Sequence, residues 1–144
     1  MKTEKERVNE LLKGMGATLG MEIIQWDKGL IQATMPVTEK NCQLYGLLNG
    51  GASLAAAETL AGVGSGLLCS KEYVPVGIQV SGNHINMAHV GDRVTITAIL
   101  EHQGRMQHVW NVEVKNEHGD IISIERVVNL IVDIKETERR GKDV

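Results

Sequence analysis

Hydrophobic and polar positions divide this chain into a short helix, two strands, one long helix and four further strands. Val8, Leu11, Leu12 and Met15 recur at helical spacing, so residues 4–15 read as an amphipathic helix, broken by Gly14, Gly16 and Gly20. Met21 to Trp26 reads as a strand and Asp27-Lys28-Gly29 as a turn. In the next strand, Leu30 to Val37, the residues Ile31, Ala33, Met35 and Val37 alternate with Gln32 and Thr34. These two strands form a hairpin. A polar loop runs from Thr38 to Asn49 and contains Cys42-Gln43-Leu44-Tyr45-Gly46.

Residues 50–70, GGASLAAAETLAGVGSGLLCS, are small or apolar nearly all round. A helix without a polar face must be buried on most sides. About 18 residues at 1.5 Å each make it roughly 27 Å long. Strands follow over Val74–Ala88, Arg93–Glu101, Gln107–Lys115 and Ile121–Ile134, separated by turns at Gly91-Asp92, Gln103-Gly104 and residues 116–120. Short hairpin connections make the sheet antiparallel. The predicted fold is α+β, a single domain over residues 1–144, with five or six antiparallel strands wrapped around one central helix. Residues 135–144, KETERRGKDV, read as a frayed charged tail.

Composition narrows the function. At 144 residues the chain is one domain and needs no disulfide or metal staple. Aromatics are only 3% with no Phe, so Val, Ile, Leu, Met and Ala must fill the core. A net charge of −3 and scarce aromatics argue against a nucleic-acid partner. The N-terminus carries no charged-then-apolar leader, and Glu58 interrupts the longest apolar stretch, which is too short to span a bilayer. The expectation is a cytoplasmic protein with no membrane partner. Cys42 and Cys69 match no zinc or redox spacing and read as reduced thiols.

Glu58 is the most unusual residue, the one charge between Gly50 and Leu68. Burial of a carboxylate raises its pKa and is unfavourable unless the group is paired, capped or used. No Lys or Arg lies within two turns on that helix, which leaves a distant cation, a wet helix edge or a catalytic role. At the helix start stands Asn49-Gly50-Gly51. Asn is a favoured N-cap, and glycines admit a close approach to the backbone. Free N–H groups and the helix dipole favour a developing negative charge there, as in an oxyanion hole. An ordinary capped helix start accounts for the same residues.

Residues 43–59, QLYGLLNGGASLAAAET, resemble the hot-dog-fold acyl-CoA thioesterases. The likeness is strongest to the branch holding the phenylacetate-pathway, Arthrobacter-type 4-hydroxybenzoyl-CoA and naphthoyl-CoA thioesterases. It extends over about residues 10–134 and takes in Val80-Ser81-Gly82-Asn83-His84, Gly91-Asp92, Gly104-Arg105 and Val109-Trp110. The resemblance implies hydrolysis of an acyl-CoA, aromatic or medium-chain, to free acid and coenzyme A. Glu58 would attack the thioester or activate water, the Gly50 N–H would polarise the carbonyl, and Gln43, Asn49 and Thr59 would assist. Arg105 would sit near the coenzyme A phosphates, with Gly82, Asn83 and His84 along the cofactor groove. No metal or redox cofactor is implied, since coenzyme A is part of the substrate. A homodimer, or a dimer of dimers, would form the site across its interface, with Glu58 of one chain facing Gly50 and Gln43 of the other. Two positions depart from the family pattern. Asn49 stands where His is common, and Gly62 where Ser or Thr is common. They motivate one alternative, a non-catalytic acyl-CoA-binding or regulatory domain. A hydratase would need a His or Asp–His arrangement that is not beside Glu58.

Three other signals are set aside. Gly62-x-Gly64-x-Gly66 lies inside a helix and lacks the strand context of a phosphate loop, so close helix packing explains it. The five histidines show no metal-ligand spacing. His102 and His108 flank a tight turn and are expected to face each other across the hairpin.

Overall fold

In the computed structural model, which describes residues 1–142, six antiparallel strands form one sheet crossed by one long helix. The strands are β1 (Glu22–Asp27), β2 (Leu30–Pro36), β3 (Tyr73–His84), β4 (Arg93–Gln103), β5 (Gln107–Lys115) and β6 (Ile121–Asp133). They lie in the order β1-β2-β4-β5-β6-β3. The short helices α1 (Glu4–Asn9) and α2 (Met15–Thr18) precede β1, α3 (Gly50–Leu68) joins β2 to β3, and α4 (Ile134–Lys142) ends the described chain. Helix α3 therefore carries the chain across one face of the sheet, from β2 near one edge to β3 at the other.

Alternation decides which side chains meet the helix. Ile31, Ala33 and Met35 of β2, Val94, Ile96 and Ala98 of β4, and Trp110, Val112 and Val114 of β5 are all fully buried. They face Ala56, Ala57, Leu60 and Ala61 of α3, also fully buried. Gly64 lets the helix settle on Trp110, because a Cβ there would lie 2.7 Å from the indole Cη2. The remaining flank of α3, at Glu58, Thr59, Gly62 and Val63, is only half-buried. The chain by itself thus buries one face of this helix, not most sides as its composition predicts. Gly62 meets open space and Gly66 touches only Pro75, at 3.9 Å, so of the three spaced glycines Gly64 alone is a tight packing position.

The termini differ from expectation. Residues 4–15 are not one helix: α1 is followed by a 3₁₀ turn at Glu10–Leu12, and α2 starts after Gly14, whose φ of +98° no helix admits. A Thr3–Glu6 capping box starts α1, and the Asn9 side chain bonds both N–H and C=O of Ile23, tying this segment to β1. The predicted charged tail is helix α4 as far as Lys142; residues 143–144 lie outside the described part. Asp133 Oδ1 accepts from Lys135 N at 2.8 Å, a side-chain cap that starts this helix although no apolar face announces it. The third strand stops at His84, with Ile85 and Asn86 held by Ile122 O instead of a ladder. Among the described residues, no helix is long and apolar enough to cross a membrane.

Candidate active site

Helix α3 presents its two unusual features on the side toward edge strand β3. At its start, Asn49 Oδ1 accepts from Gly51 N at 2.8 Å. The Gly50 N–H belongs to the first turn, where no carbonyl within the helix can reach it. The His84 imidazole lies on this helix end, since a Cβ at Gly50 would sit 2.6 Å from Nε2. A side chain at position 50 would force the exposed His84 ring to move.

Glu58 lies two turns on, half-buried, with its carboxyl against Gly77 of β3. A Cβ at Gly77 would run into Oε1 and lie 3.1 Å from Cδ. The β3–β6 register shifts between Gly77 and Gln79, a bulge that sets Gly77 beneath the carboxylate. No Lys or Arg pairs with Glu58 among the described residues. Eight residues at 1.5 Å place Glu58 roughly 12 Å along the helix from Gly50. One chain therefore gathers Gly50, Asn49 and His84 at one end of α3 and holds Glu58 apart from them.

Gln43 stands in the loop before α3. Its Oε1 accepts from the backbone N–H groups of Tyr45 and Leu47, and its own N–H donates to Leu47 O at 2.7 Å. The side-chain oxygen is thus occupied in shaping the loop, and the amide NH₂ remains as the outward donor. Thr59 turns its methyl toward Gly16 and opens a groove of about 500 Å³ with Leu11, Gly62, Val63, Leu67 and Pro75. This groove is largely apolar and begins one residue from Glu58.

The residues expected along a cofactor groove separate. Gly82 points inward, where a Cβ would lie 2.8 Å from Glu125 Cγ and 3.2 Å from Leu54 Cδ2. Asn83 is exposed on the other face of β3. Arg105 is at the β4–β5 turn, in a pocket of about 430 Å³ with Tyr73, Met106, Asp133 and Glu136. His102 and His108 do not face each other: a shift between Leu100 and His102 pairs His102 with Val109 and Gln103 with His108. His108 turns into the core, and His102 stays exposed.

Two buried polar features escaped the sequence reading. Ser65 Oγ is approached by Trp110 Nε1 at 2.8 Å, His108 Nδ1 at 2.9 Å and Asn129 Nδ2 at 3.0 Å. The indole N–H can only donate. Asn129 Nδ2 also reaches Ala61 O at 3.2 Å, which fixes it as a donor. Both Ser65 lone pairs are then filled, so its hydroxyl donates to His108 Nδ1 and the imidazole proton resides on Nε2. Burial, with a smaller effect from His102, holds His108 below its ordinary pKa. The second feature is Glu125, 1% exposed on β6. It accepts from the Ser123 hydroxyl, its Oε2 has no partner, and burial pushes its pKa up to about 7. A strict period-2 reading of β6 puts Ser123, Glu125, Val127 and Asn129 on one face but does not mark that face as the inner one.

This architecture is the hot-dog fold, and the chain belongs to the thioesterase superfamily, whose family model matches residues 45–123. It is a thioester hydrolase. A 1,4-dihydroxy-2-naphthoyl-CoA hydrolase of Listeria monocytogenes is 32% identical over 113 residues, covering 78% of this chain and 91% of that protein. A protein of the same name from Escherichia coli is 36% identical over 103 residues, covering 71% and 74%. Among solved structures, a mutant thioesterase from Pseudomonas aeruginosa superposes with a TM-score of 0.86 at 31% identity, covering 93% of this chain and 97% of that one.

Proposed function

We propose that this hydrolase acts on acyl-CoA thioesters, with aromatic or medium-chain acyl groups favoured, releasing free acid and coenzyme A. One observation carries the assignment of roles. Glu58 is the single charge on α3, it is set against a glycine of an edge strand, and it stands roughly 12 Å from the free N–H at Gly50. That distance is too long for one carboxylate and one oxyanion donor to act on the same carbonyl. Two chains related by a two-fold axis beside β3 would bring Glu58 of one to Gly50 of the other. Strand β3 suits this pairing, being a twelve-residue edge with Ile78 51% exposed.

In the proposed mechanism, Glu58 attacks the thioester carbonyl or takes a proton from the attacking water. Negative charge collects on the carbonyl oxygen, where the Gly50 N–H and the helix dipole stabilise it. The His84 imidazole beside Gly50 and the Gln43 NH₂ are further groups at that end. Asn49 keeps the helix end open by capping Gly51 instead of Gly50. The groove from Thr59 to Leu67 would take the acyl group, and Arg105, in its pocket at the β4–β5 turn, the phosphates of the coenzyme A moiety. The reaction so written needs no metal or redox cofactor.

The test is thiol release from benzoyl-, phenylacetyl-, hexanoyl- and naphthoyl-CoA by wild type and Glu58→Gln. Release by wild type, lost by at least a hundredfold in the variant while coenzyme A ligands still raise its melting temperature, is the expected result. Equal release by both would remove Glu58 from the chemistry. No release by wild type from any of the four would remove the substrate class.

A further inference from the structure

The inner face of β6 holds a carboxyl group for which the mechanism above has no use. Glu125 is 1% exposed. Its neighbours are Gly82 of β3, Leu54 of α3, Val112 of β5 and Ser123 on its own strand. One carboxyl oxygen accepts from Ser123, and the other has no donor. The ionisable groups on the faces packed around it are few. They are His84, two residues beyond Gly82 on β3; Glu58, one turn beyond Leu54 on α3; and His108, at the far end of the inner face of β5. No Lys or Arg pairs with Glu125 among the described residues.

A carboxylate in such a place would lack both a counter-charge and a second hydrogen bond, whereas the neutral acid needs no counter-charge and its O–H can donate to the Ser123 hydroxyl oxygen. Consistently, burial pushes the Glu125 pKa up to about 7. Its position links it to the proposed site. Gly82, which it touches, and His84, which lies on Gly50, are two residues apart on the same face of one strand, roughly 7 Å. Charge on Glu125 would therefore oppose charge developing on an oxygen held at Gly50.

We propose that Glu125 is a positioning and gating residue, a buried acid that must stay protonated for the helix end at Gly50 to stabilise an oxyanion. This rests on the acyl-CoA hydrolase reading. When pH rises, the Glu125 proton passes to solvent, and the carboxylate left behind repels the oxyanion. If the separation is of the order of the roughly 7 Å Gly82–His84 spacing, at an effective dielectric of about 20 the repulsion corresponds to a rate loss of up to about fiftyfold. Glu125→Gln keeps the shape, the Ser123 contact and the neutral state at every pH.

The experiment compares pH profiles of kcat/KM for thiol release from the four acyl-CoAs, between pH 5.5 and 9, for wild type and Glu125→Gln. The two are expected to coincide near pH 6. Above about pH 8 the wild type is expected to fall at least tenfold below the variant. Carboxyl ¹³C NMR of the wild-type chain reads the same proton without any turnover. Profiles that coincide throughout would overturn the proposal while leaving the hydrolase reading intact. So would a Glu125 resonance titrating near 4.5, its ordinary value. No turnover by wild type at any pH, with Glu125 still titrating near 7, would overturn the substrate reading and the gate with it.

Discussion

Replacing Ser65 by Ala tests the buried network that joins α3 to the sheet. Ser65 and Trp110 are fully buried, and His108 and Asn129 nearly so, which leaves no path for solvent to replace a lost hydrogen bond. The substitution removes one oxygen and strands two groups completely, the Trp110 N–H and the His108 Nδ1 lone pair. Asn129 Nδ2 loses one of its two acceptors and keeps Ala61 O. Each orphaned buried group costs about 1–3 kcal/mol, and Ala returns about 0.5 kcal/mol of helix propensity. The net loss is about 1.5–5.5 kcal/mol. Urea unfolding at fixed protein concentration measures it, since any oligomer makes the midpoint depend on concentration. Ser70→Ala is the control, its hydroxyl being exposed and meeting only Glu72. A Ser65→Ala loss below about 1 kcal/mol, or no larger than that of Ser70→Ala, would refute the accounting. An NMR spectrum showing a proton on His108 Nδ1 at pH 7.5 would do so independently.

Two further outcomes follow from packing and titration. In Gly77→Ala the new methyl displaces the Glu58 carboxyl, so kcat for thiol release should fall roughly 10- to 100-fold with an unchanged circular dichroism spectrum, given that misplacement by about 1 Å has this scale of effect; an unchanged kcat would show that the Glu58 position is not critical. Stability against pH should show two opposed contributions. Glu125 has a raised folded-state pKa, from 4.5 to about 7, so its contribution is fully present below 4.5 and is lost as pH rises toward 7; it amounts to at most roughly 3 kcal/mol. His108 is lowered from 6.5, so its contribution is present above 6.5 and is lost as pH falls. Between pH 7 and 5.5 the urea midpoint of Glu125→Gln should therefore fall further than that of wild type, in which the Glu125 contribution opposes the His108 loss. A flat Glu125→Gln profile would mean that His108 gains its proton without disturbing the Ser65 network.

The strands and α3 were legible because their patterns are strong. Ile31, Ala33 and Met35 alternate without interruption, and residues 50–68 hold one charge. Glu58 was legible for the same reason, as an exception within a uniform segment. The polar cluster under α3 was not. Ser65 sits among small residues where a hydroxyl attracts no notice, and its partners lie 43 and more residues away. His108 was paired with His102 by counting across the turn, and a bulge of one residue moved the register. Glu125 was hidden because Ile122, Ile124, Val127 and Val128 put apolar residues on both faces of β6, so no single alternation marks its inner side. Helix α4 depends on one cap, at Asp133, and offers no apolar stripe to find.

What assembles the candidate site is the absence of side chains at chosen points. Gly77 is vacant where Glu58 lies, Gly82 where Glu125 lies, and Gly50 where His84 lies. All three contacts join β3 to an inner-face neighbour, so this edge strand sets the location of both carboxylates and the imidazole. Residue types alone show three glycines, and their spacing is compatible with turns, bulges or close packing. Only the cross-element register distinguishes these, because a glycine is informative through the side chain that enters its space. The same logic separates Gly62, with nothing near it, from Gly64 against Trp110, two residues away on one helix. If Gly62 faces the acyl group, a Cβ there has open space and should change substrate preference without changing stability, whereas one at Gly64 would collide with the indole and destabilise the fold.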